Sequence, residues 1–127
     1  MRTSLKSLCN SFIESRDTIK ETFFWGSSYI YPVAAAVFVD KRVTADGERL
    51  EMCGDILKDN TGFFSNFRNY VKLPMDSMMA VSSDPEDKLK KALAVYEMLK
   101  QHFFSSTYLP LASMTISDYV EPDHYDA

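Results

Sequence analysis

Apolar residues recur at helical spacing in three separate stretches, a pattern that points to helices packed on helices. Cys9, Phe12, Ile13, Arg16, Ile19 and Phe23 fall on one face of a helix. Leu50, Cys53, Ile56 and Leu57 form a second such face, and Leu89, Ala92, Leu93, Tyr96, Leu99 and Phe103 a third. With only 4 Gly and 5 Pro in 127 residues, the chain lacks the material for the many tight turns of an all-β domain. A strand over Val33–Val39 is the alternative at one point, but Ala34, Ala35 and Ala36 and the lack of a partner strand favour helix.

Boundary signals agree with this pattern. Asp84-Pro85-Glu86-Asp87 reads as a helix start, with Asp as N-cap, Pro at N1 and acids facing the positive end of the dipole. Asp46-Gly47-Glu48 is a weaker form of the same signal, and Asn60-Thr61-Gly62 reads as a stop. Ser27 or Ser28 is placed to cap a helix running through Tyr31–Phe38. Pro74 and Pro110 stand near the starts of two short apolar segments, Met75–Val81 and Leu111–Val120.

The pieces recur in order. Phe-Phe pairs begin at Phe23, Phe63 and Phe103, a period of 40 residues. Each pair is followed by a polar aromatic stretch, a Pro, a short apolar helix, an acidic start (Asp46, Asp84, Glu121) and, for the first two units, a longer amphipathic helix. The expected fold is all-α, with about six helices as antiparallel hairpins in a degenerate ~40-residue repeat, a short solenoid-like array. Residues 1–127 are expected to form a single helical domain. Glu121-Pro122-Asp123 looks like the cap of a further long helix, so the chain is expected to be truncated at its C-terminal end.

Composition narrows the function classes. Apolar residues make up 46% and charged residues 25%, an ordinary globular balance. A net charge of −4 argues against a nucleic-acid partner. Lys88, Lys90 and Lys91 adjoin Glu86 and Asp87 and read as a solvated helix face. The longest nearly uncharged apolar stretch, Tyr29 to Val39, falls well short of the ~20 residues of a membrane span. Cys9 and Cys53 are too few for a disulfide framework, and both lie at apolar helix positions where a thiol packs as a small hydrophobe. The N-terminus leads into no apolar signal segment, and the expected compartment is the cytoplasm.

Chemistry-bearing patterns are sparse. Gly26, Gly47, Gly54 and Gly62 form no phosphate loop, and His102 and His124 have no neighbour at metal-ligand spacing. His102 reads as a cation at a helix end. Asp118, Glu121, Asp123, His124 and Asp126 read as a frayed acidic tail. No catalytic residue, metal or cofactor is expected.

One segment stands out. Asn66, Phe67, Arg68 and Tyr70, after the Phe63-Phe64 pair, set aromatic faces and a guanidinium among small hydrogen-bonding side chains. Such a set can recognise a peptide, a carboxylate or a planar ligand. Core anchoring by the Phe residues, with Arg68 bonded to loop carbonyls, is the favoured reading.

The run Asn60–Arg68, then Lys72-Leu73-Pro74, Asp84–Leu89 and Ser106–Ala112, resembles a bacterial family catalogued as domain of unknown function 4003. The resemblance extends from about Phe24 onward and is to the N-terminal part of longer members. It implies a soluble, mostly helical protein and brings no activity or catalytic residue with it. The expected function is a non-enzymatic binding or scaffold module for a protein or peptide; the alternative is part of an enzyme whose catalytic residues lie beyond this chain. Self-association through Leu109, Leu111, Met114 and Ile116 is also expected, because an uncapped last hairpin would leave them exposed.

Overall fold

The computed structural model describes residues 4–23, 29–61, 71–103 and 108–119. They form six α-helices in the order α1 (Leu5–Thr22), α2 (Ile30–Asp40), α3 (Gly47–Asn60), α4 (Lys72–Ala80), α5 (Pro85–Leu99) and α6 (Leu109–Ile116), closed by a 3-10 turn at Ser117–Tyr119. No strand occurs among the described residues, so the fold is all-α and the Val33–Val39 segment is helical.

Long and short helices alternate. Each long helix packs on the short helix after it: α1 on α2, α3 on α4, α5 on α6. The short helix α4 also touches α2, α5 and α6, which places it at the centre. Seven of its nine residues are buried as a result, including Asp76 and Ser77. The core gathers around it from Ile19, Tyr31, Ala34, Ala35, Phe38, Leu50, Cys53, Leu57, Met75, Met79, Leu89, Ala92 and Met114.

Local chemistry sets the helix ends. The Asp46 carboxylate accepts from the N–H groups of Glu48 and Arg49, and that of Asp84 accepts from Asp87 N–H with Pro85 in the first turn. Two antiparallel hairpins share a further device. In α3, the Arg49 guanidinium donates to the carbonyls of Ala80 and Ser82 at 2.6 Å each, satisfying orphan acceptors at the end of α4. In α5, the Lys88 ammonium donates to the Met114 carbonyl near the end of α6 at 3.1 Å. Buried serines also match: Ser77 donates to the Leu73 carbonyl at 3.0 Å and Ser113 to the Leu109 carbonyl at 2.9 Å. Each therefore satisfies its hydroxyl inside its own helix.

Several boundaries differ from expectation. Helix α2 begins at Ile30, and the residue at its N-cap position, Tyr29, makes no side-chain cap; Ser27 and Ser28 lie outside the described residues. Helices α4 and α6 begin at Lys72 and Leu109, ahead of the prolines, because a Pro in the first turn removes only a donor that has no helical partner. Helix α3 stops at Asn60 as expected, with Thr61 extended.

The face of α1 is narrower than its periodicity suggests. Ser15 and Ile19 are buried, while Cys9 is exposed and Ile13 is 46% exposed. The helix packs chiefly on α2, so one line of contact suffices. Cys53, by contrast, is fully buried, and burial pushes its thiol up to about 11. Aromatic-disulfide titration is expected to modify Cys9 rapidly in the native protein and Cys53 only after denaturant is added. Two thiols reacting at one rate would contradict this placement.

The apolar face expected to drive self-association is largely covered. Leu109 and Met114 are buried and Leu111 is half-buried against the core, leaving Ile116 exposed among the four. Folding α6 back onto α5 supplies the partner within one chain.

Candidate functional site

A groove of about 550 Å³ opens between α2 and α6, with the end of α4 as its floor. Helix α2 is apolar nearly all round, so after Ala34, Ala35 and Phe38 enter the core, Val33, Ala36 and Val37 remain for the groove wall. Met78, Val81 and Ser82 come from α4 and its end, and Thr115, Asp118 and Tyr119 from α6 and the 3-10 turn. Val33 is 49% exposed and Tyr119 is 84% exposed, so the trough is wet and open rather than a sealed cavity.

The charged groups are unevenly placed. Asp40 and Lys41 lie exposed at the end of α2. Lys88 lines the groove from α5 but is only 7% exposed. Its ammonium bonds to the Met114 carbonyl and pairs with the half-exposed Asp118 carboxylate. Lys88 therefore is not part of a solvated face, and Asp118 is not part of a frayed tail. The reason is positional: Lys88 stands four residues before Ala92 and next to Leu89, inside the apolar stripe of α5. Along the sequence, Lys90 and Lys91 beside it give Lys88 the look of a solvated lysine, and only the contact with Met114 and Asp118 sets it apart.

A second polar cluster lies between α3 and α4. Asp76 is 1% exposed; its Oδ2 accepts from Lys72 Nζ at 2.9 Å, and its Oδ1 has no hydrogen-bond partner. Burial drives the Asp76 carboxyl up to about 6, against the opposing pull of Lys72. Gly54 makes room for the pair: a Cβ there would stand 2.9 Å from Lys72 Nζ and 3.2 Å from Asp76 Oδ2. The cluster is buried where α3 packs on α4, inside the fold.

Asn66, Phe67, Arg68 and Tyr70, the residues singled out by sequence for ligand binding, lie outside the described residues, as do Phe63, Phe64, Glu121, Asp123, His124 and Asp126. His102 lies exposed just past the end of α5. Among the described residues, no cluster of three or more His, Cys, Asp or Glu side chains is placed to hold a metal ion. No helix among them is long and apolar enough to cross a membrane.

The architecture defines an all-helical protein built from long–short helix pairs, with an open groove on the short-helix side. The chain belongs to the family described as Protein of unknown function (DUF4003), whose profile matches residues 15–127. No curated protein and no solved structure shows detectable similarity to it.

Proposed function

We propose that this protein is a non-enzymatic binding module, in which the groove between α2 and α6 holds a segment of a protein or peptide partner. The observation that carries the reading is the groove's composition: apolar walls from Val33, Ala36, Val37, Met78 and Val81 around a few polar groups, the mixture that peptide-binding grooves use. The three long–short pairs, with Arg49 and Lys88 anchoring the ends of the short helices in two of them, support a degenerate repeat and a short solenoid-like array. Such arrays present extended surfaces to partners. A cytoplasmic, bacterial setting is part of the same proposal. The aromatic connection with Asn66, Phe67, Arg68 and Tyr70 is a second proposed contact surface, ahead of α4.

Ala36 offers a direct test, because it is exposed on α2 and lines the groove without entering the core. Peptides selected from a random displayed library against the full chain are expected to perturb amide resonances of α2, α4 and α6. Ala36→Trp should weaken their binding at least about tenfold by filling the trough, with the thermal midpoint unchanged. Glu51→Arg, on the exposed face of α3, should leave binding intact. Recovered peptides that map only to other surfaces would overturn the groove reading.

A further inference from the structure

We propose that Lys88 is an acid-anchor subsite: the segment held in the groove carries an Asp or Glu side chain beside apolar residues, and its carboxylate takes the place on the Lys88 ammonium that Asp118 fills in the unbound protein. This rests on the groove being a peptide site and names the chemistry of the peptide.

The argument starts from a contrast between two hairpins. Arg49 and Lys88 both reach from the start of a long helix to the end of its short partner. Arg49 is served by two main-chain carbonyls at 2.6 Å and needs no side-chain anion there. Lys88 has one carbonyl, that of Met114, and Met114 also accepts from the Ser117 hydroxyl at 2.5 Å. The remaining compensation for the Lys88 charge comes from a carboxylate.

The two members of the pair are also unequally buried. Lys88 is 7% exposed, whereas the Asp118 side chain is 49% exposed and sits on the 3-10 turn that forms one rim of the groove. A buried ammonium requires a counter-ion at all times, since leaving it unpaired is strongly unfavourable. The protein's own counter-ion is half exposed and lies at the mouth. Asp118 can swing to water at little cost if another carboxylate arrives, while Lys88 cannot follow it out without leaving the Met114 carbonyl. Val33, Ala36, Val37 and Met78 then receive the apolar neighbours of the incoming acid. Asp118 acts as an internal stand-in that keeps the subsite closed to weak anions.

The test uses the library-selected groove binders as synthetic peptides, with the full-length chain. They are expected to carry Asp or Glu next to apolar residues, and exchange of that residue for its amide should weaken binding about tenfold or more. Asp118→Asn removes the competing carboxylate and should tighten binding of the acidic peptides several-fold while leaving the amide versions unchanged. Lys88→Met should abolish the preference for acid over amide. If either variant fails to fold because a buried group is left unpaired, the exchange of acid for amide in the peptide, made on the unaltered chain, decides. Groove binders with no acid preference, or acidic binders that Asp118→Asn does not strengthen, would overturn the subsite and leave the groove reading standing. A library that yields no groove binder would sink both.

Discussion

Leu57→Ala is expected to destabilise the protein by about 2–5 kcal/mol, a large share of the roughly 5–15 kcal/mol that holds a small domain folded. Leu57 is fully buried on α3 together with Leu50, Cys53 and Gly54, at the i, i+3, i+4 and i+7 positions of one face. That face meets α4, itself buried on nearly every side, so the surroundings have little freedom to collapse into the space left by the removed methyl groups. Met52 lies on the same helix but is 44% exposed. Met52→Ala should therefore change stability by no more than about 0.5 kcal/mol. Urea unfolding of the two variants checks the pair. Similar losses for both would mean that α3 does not bury the face described.

Asp76 is expected to make stability fall as pH rises from about 4 to about 7. Its carboxyl is held at about 6 in the folded protein, chiefly by burial, and returns to 3.8 on unfolding. Between those values the native state holds a proton that the unfolded chain has lost, so raising the pH favours unfolding. A shift of this size corresponds to about 3 kcal/mol, accumulated across that window and level above it. Other carboxylates titrate over the same range, so the informative quantity is the difference between wild type and Asp76→Asn. That difference should move in favour of the variant by about 2–3 kcal/mol between pH 4 and pH 7.5. Lys72→Met removes the partner that pulls the carboxyl back down, and should extend the fall in stability to higher pH. Parallel pH curves for wild type and Asp76→Asn would show that burial does not raise the carboxyl in the folded protein.

The Asp76 cluster also explains a glycine. Gly54 faces Lys72 and Asp76 across the α3–α4 contact, where any Cβ would press on the ion pair. Its sequence neighbours mark position 54 as part of a helix, and nothing along α3 announces that a buried charge pair lies opposite. Arg42 is a case of the reverse kind. It takes a left-handed backbone with φ 60 just after α2, a conformation usually left to Gly or Asn, and no local sequence signal foretells it.

Helix type and most helix positions were legible because they depend on local periodicity and on caps that act within one turn. Leu50, Cys53 and Leu57 on α3, Leu89 and Ala92 on α5, and the Asp46 and Asp84 caps all lie where those rules place them. The groove and its charged wall were not legible, because they exist only where α2, α4, α5 and α6 converge. Lys88 reads as one lysine among three until Met114 and Asp118, 26 and 30 residues further on, are brought against it. Asp118 reads as tail until that same contact orders it. Leu109 and Met114 read as an exposed apolar face until α6 folds onto α5. Sequence by itself determined which segments become helices, since the energies that decide this act over three or four residues. Only the tertiary structure decided which charges are buried, since burial is set by neighbours distant along the chain.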